Sequence, residues 1–132
     1  MYANGQGVPQ DNVQAVKWYR LAADQGNARA QDNLGLMYAN GQGVPQNNAE
    51  AAKWYRLAAV QGYARAQYNL GVMYANGQGV PEDNVQAHKW FNLAGAGGDE
   101  DGRKNRDIVA KVMTPAQIAE AQRLASEWKP KQ

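Results

Sequence analysis

The chain is expected to fold as an all-α solenoid of stacked helix pairs, and three observations point there. The string Tyr-Ala-Asn-Gly-Gln-Gly-Val-Pro follows Met1 and returns after Met37 and Met73, a period of 36 residues. Residues 1–36 and 37–72 agree at 28 of 36 positions, with Trp18, Trp54 and Trp90 in step. Within each copy the apolar residues are spaced for helices, as in Ala30, Leu34, Met37 and Tyr38. A fixed period of this length marks an architecture in which every unit buries its apolar face on its neighbours. Side chains present in every copy are therefore expected to be packing units before they are site residues.

The elements follow in chain order. Met1 stands late in a unit, so residues 1–26 read as a partial repeat, followed by repeats 27–62 and 63–98 and a terminal segment 99–132, all in one domain. In the first copy, Asp11 with Gln14 three residues later predicts the capped start of a second helix, helix B. In the complete copy, helix A is expected over 28–40. Gly41 is placed for a left-handed helix end, and Pro45 prevents continuation. Helix B then starts at the cap Asn47 with Glu50, and buries Ala51, Trp54, Tyr55, Ala58 and Ala59. Asp83 and Gln86 repeat that start. Gly35 and Gly71 lie inside helix A, where glycine costs about 1 kcal/mol against alanine, so a second helix is expected to pass close by. Near 99–112 the pattern changes. Arg106 takes the Leu34/Leu70 position and Asp107 the Gly35/Gly71 position, while Ile108, Val109, Val112 and Met113 supply the apolar face. Thr114, Pro115 and Gln117 then make a capped start for a helix over 115–128, with Ile118, Ala121, Leu124, Ala125 and Trp128 on one side. The segment 99–128 is expected to be a capping hairpin, and the tail 129–132 to fray.

The string Leu-Gly-x-Met-Tyr-x-x-Gly-x-Gly-Val-Pro, then Ala-x-Lys-Trp-Tyr-x-x-Ala-Ala-x-x-Gly, resembles the Sel1-like repeat, a 36-residue relative of the tetratricopeptide repeat. The match runs over roughly residues 1–98. The resemblance implies a right-handed α/α superhelix whose A helices line the concave surface. It also implies an adaptor role in holding other proteins, and a bacterial origin, often with export. Some secreted members carry a cysteine pair in each repeat; this chain has no cysteine.

On that architecture, the candidate partner-binding residues are those of helix A turned away from the core. They are Arg29, Asp32, Asn33, Leu36 and Asn40, then Arg65, Tyr68, Asn69, Val72 and Asn76. Asn4 and Asn105 extend the row. Arg and Asn four residues apart on neighbouring helices can hydrogen-bond an extended peptide or grip a carboxylate. The plainer reading has Asn33 and Asn69 bonding across the helix seam and the arginines solvated. The leading function is thus a non-catalytic adaptor for a protein or peptide in the concave groove. The alternative is a regulator or inhibitor that binds an enzyme through the convex face, where Lys17, Lys53 and Lys89 form a row.

Other classes have little support. A net charge of +2 from 14 basic and 12 acidic residues is too balanced for nucleic-acid binding. There is no thiolate site and no apolar run long enough for a membrane span. Gly-Gln-Gly is no phosphate loop, since no Gly-Lys-Ser/Thr follows. His88 is the one histidine and has no partner set for a metal or a triad; it reads as surface or half-buried. No cofactor, metal or catalytic residue is expected. The uncovered helix B at the start is expected to favour end-to-end self-association or fraying.

Overall fold

The structure, a computed structural model, describes residues 9–131. Among these are seven helices and no strand: α1 Pro9–Asp24, α2 Ala28–Asn40, α3 Asn48–Ala59, α4 Ala64–Asn76, α5 Asn84–Ala96, α6 Glu100–Ala110 and α7 Pro115–Glu127. The even-numbered helices are the A helices. Each helix from α1 to α5 packs on its successor, most extensively within the pairs α2/α3 and α4/α5.

The connections are local chemistry. Gly41 takes the left-handed conformation at φ 67°, and its N–H closes on the Met37 carbonyl; Gly77 does the same one repeat later. Asn47 accepts from the Glu50 amide and Asp83 from the Gln86 amide. The reciprocal half of the expected capping boxes is not formed there. The Asn47 and Asp83 amides instead donate to the Tyr38 and Tyr74 carbonyls at 2.9 Å, which ties each helix B to its own helix A. Only Thr114 and Gln117 close a full box. Asp11 is not a cap: α1 already starts at Pro9, whose fixed φ suits a first turn, and Asp11 lies inside that turn.

Leu34 and Leu70 are wholly buried, and Trp54 and Trp90 each pack between helix A of their own repeat and helix B of the one before. Trp54 joins Val16, Ala30, Leu34 and Met37, and Trp90 joins Ala51, Ala58, Leu70 and Met73. Trp18 is a correction to the sequence reading. It is 69% exposed, because no helix pair among the described residues precedes α1 to receive it. The two helix-A glycines meet their expectation. A Cβ on Gly35 would stand 2.8 Å from the Tyr55 ring, and one on Gly71 2.7 Å from the Phe91 ring.

The C-terminal end closes differently from the repeats. Val109 of α6, Met113 of the turn after it and Ala121 of α7 share one buried cluster with Ala87 and Phe91, and α7 lies against α5. Ile108 and Val112 do not join that core. They are 59% and 72% exposed, since the face of α6 turned to α5 is the one carrying Gly102 and Val109. Nor is the tail free: Trp128 stacks edge-on against Trp90 with ring centroids 6.3 Å apart, and the Lys131 amide donates to the Val60 carbonyl at 2.6 Å. An aromatic anchor at the end of α7 thus pins residues 129–131 over the turn after α3.

At the α5/α6 junction, the pairs Val16–Leu34 and Ala52–Leu70 give way to His88–Arg106. His88 is buried at 3% exposure, not at the surface, and its Nδ1 has no hydrogen-bond partner. Burial first, and then the charge of Arg106, lower its pKa from 6.5, while Asp107 pulls the other way. The unfolded chain therefore takes up a proton at higher pH than the folded one. Stability is complete above about pH 6.5 and falls as pH drops through that window. The urea midpoint is expected to decline between about pH 7 and 5. In His88→Ala with Arg106→Leu, which restores the Ala52–Leu70 pair, that limb should flatten; an unchanged slope would refute the assignment.

Candidate functional site

Because successive A helices repeat at 36 residues, equivalent side chains of α2, α4 and α6 fall into rows. Leu36, Val72 and Ile108 form one, with Leu36 44% exposed. Asn33, Asn69 and Asn105 run beside them one turn away, and Asn40, Asn76 and Val112 on the other side.

Two adjoining hollows run along these rows. The first, of about 280 Å³, lies between α2 and α4, where Leu36, Asn40, Asn69 and Val72 meet Tyr55. The second, of about 320 Å³, lies between α4 and α6, where Val72 and Asn76 meet Asn105, Ile108 and Val112. Val72 belongs to both. Five of the ten expected site residues therefore line a continuous depression. The others, Arg29, Asp32, Asn33, Arg65 and Tyr68, line neither hollow. Arg29 is exposed, Asn33 half-buried and Asp32 buried. Asn4 falls outside the described residues.

The polar members are largely engaged with one another. Asn69 Nδ2 donates to Asp32 Oδ1 at 3.0 Å, a bond across the α2/α4 seam. Burial raises the Asp32 carboxyl pKa, with the Asn69 hydrogen bond and the Arg65 charge working against it. Burial, then the nearby Asp32, likewise raises the Tyr55 hydroxyl. Arg65 is held by Asp99 at 3.2 Å and Asp101 at 3.0 Å, and its guanidinium lies 4.2 Å from the centre of the Tyr68 ring. It braces α6 against α4.

These contacts alter what a substitution reports. Asn69→Ala would strand the buried Asp32 carboxylate and is expected to cost about 1–3 kcal/mol in a denaturant melt. Arg65→Ala, which breaks half-exposed ion pairs, should cost no more than about 1 kcal/mol. Equal costs would mean that the Asp32–Asn69 bond is not structural.

In the lysine row, Lys17 is exposed, while the other two lie near tryptophan rings. Lys53 lies 5.2 Å from the Trp54 ring and Lys89 4.3 Å from the Trp90 ring. Burial, then Arg56, lowers the Lys89 pKa. The geometry of the groove supplies amide hydrogen bonds and apolar contact. Among the described residues no three His, Asp or Glu side chains gather as metal ligands, and no helix is long and apolar enough to cross a membrane.

Ile108, Val112, Tyr55 and the rim residues Gln46 and Glu82 were missed as groove residues by sequence reasoning. The 36-residue register linking Leu36, Val72 and Ile108 was the available signal.

The comparisons with known proteins agree with this architecture. The Sel1 repeat model matches residues 1–27, 28–63 and 64–99. A protective antigen of uropathogenic Escherichia coli strains, whose structure displays an SLR fold, is 38% identical with a TM-score of 0.92 over 96% of this chain. The chain spans only 27% of that antigen's length. A Sel1 repeat protein from Oxalobacter formigenes is 43% identical with a TM-score of 0.71, and 80% of each chain is covered. No curated protein matches the chain.

Proposed function

This chain belongs to the Sel1 repeat family, whose members generally mediate protein–protein interaction on a non-catalytic scaffold, and from that premise we propose that it is an adaptor holding a partner protein or extended peptide in the groove between its A helices. The observation that carries this reading is the apolar row of exposed Leu36, half-buried Val72 and exposed Ile108, widened by exposed Val112, along two adjoining hollows. Leu36, Ile108 and Val112 stand outside the buried core, and an apolar strip rimmed by amides suits a bound polypeptide. The convex reading has less support, because Lys53 and Lys89 lie along tryptophan rings.

The test is a selection of peptides from a random library on the unaltered protein, followed by titration against Leu36→Asp with Ile108→Asp. Both positions are exposed, so the fold should survive and the melting temperature should hold. Selected peptides are expected to lose at least about tenfold in affinity, or 1.4 kcal/mol. If they bind the double variant as well as the parent, the groove is not the binding surface.

A further inference from the structure

Resting on the groove reading, we propose that the two hollows seat two side chains of one extended partner segment, an uncharged one over the first hollow and a lysine or arginine over the second. The hollows are register copies: nine of the ten residues lining the first have their counterpart, 36 positions on, lining the second. Leu36 becomes Val72, Val72 becomes Ile108 and Asn69 becomes Asn105. A partner that fits one hollow meets the same shape one repeat along.

The differences set the chemistry. At the rim, Gln46 becomes Glu82, and at the base Tyr55 becomes Phe91. Glu82 is the only charged residue lining either hollow, and among the described residues it makes no ion pair. A long basic side chain can lay its stem on Val72, Ile108 and Val112 and carry its charge to that carboxylate. Over the first hollow the same charge would meet only amides and the Tyr55 hydroxyl on the lining; the nearby Asp32 carboxylate is buried behind Asn69 and already bonded to it, so it offers no direct ion pair to offset lost hydration.

The amides between the rows fit a backbone. Asn69 Nδ2 is occupied by Asp32 and Asn105 Nδ2 by the Asp101 carbonyl, and neither Oδ1 has a partner among the described residues. Each presents a tethered acceptor to a partner N–H. Neighbouring helices lie on the order of 10 Å apart, and three residues of polyproline-II backbone advance about 9 Å while returning side chains to one face. Anchors three residues apart therefore match one repeat.

The experiment uses blocked, proline-rich peptides carrying Leu and Lys three residues apart, in both orders, titrated by fluorescence anisotropy. Replacing Lys by Glu is expected to weaken binding of the better order about threefold to fivefold, the scale of an exposed ion pair. Glu82→Gln should abolish that preference, and Gln46→Glu should make a second Lys acceptable in place of Leu. If Lys and Glu peptides bind alike, or the preference survives Glu82→Gln, the inference is overturned. The groove reading then still stands, provided Leu36→Asp with Ile108→Asp removes binding. Peptides insensitive to that pair overturn both, as does a complete absence of peptide binding.

Discussion

Trp54→Ala is expected to lower the unfolding free energy by about 3–5 kcal/mol, the range for truncating a large buried aromatic side chain. Trp18→Ala, at the same repeat position, should change it by no more than about 0.5 kcal/mol. The contrast follows from neighbours alone. Trp54 packs among Val16 of the preceding unit and Leu34 and Met37 of its own helix A, while Trp18 is largely exposed. Two smaller effects oppose each other. Trp54 Nε1 is buried with no partner, so truncation removes an unsatisfied donor, a relief on the order of 1 kcal/mol. Truncation also strips the ring from beneath Lys53 and Arg20, a loss of about 0.5–1 kcal/mol. These nearly cancel and leave the cavity cost. Urea melts followed by both near- and far-ultraviolet dichroism would measure it, because stacked repeats need not unfold in one step. Equal costs at the two tryptophans would refute the stacking.

Gly71→Ala is expected to destabilise by about 1–3 kcal/mol, although helix propensity alone would have alanine stabilise by about 1 kcal/mol. The sign is decided by space. The new Cβ would stand 2.7 Å from the buried Phe91 ring and 3.3 Å from the Ala87 carbonyl oxygen. The ring is only 2% exposed, and the carbonyl belongs to α5 itself. Relief therefore requires the α4/α5 pair to part along its length. A melting temperature raised by the substitution would show that the two helices are not in close contact at this point.

The helix pairs were legible because their causes are short-range. Residues 28–40 carry their own apolar stripe, Gly41 its own turn and Asn47 its own cap, and α2 and α3 follow. The repeat extends that local solution along the chain. The groove was legible in part: Leu36, Val72, Asn40, Asn69 and Asn76 line it, as their place on helix A implied. Arg65 could not be read from periodicity, because its partners Asp99 and Asp101 belong to the segment where the repeat decays. Asp32 was taken for a surface residue because its burial depends on the next A helix, which brings Asn69 to it.

The 36-residue period by itself was enough to establish a stack of helix pairs and the rows of equivalent side chains along its A helices, since both depend on spacing within and between copies. Which members of a repeated row are core and which are surface was settled only by the tertiary structure. Trp54 and Trp18, or Val109 and Ile108, differ in the neighbour that lies alongside rather than in their own chemistry. Burial is a property of pairs of surfaces, and one strand of sequence records only its own half.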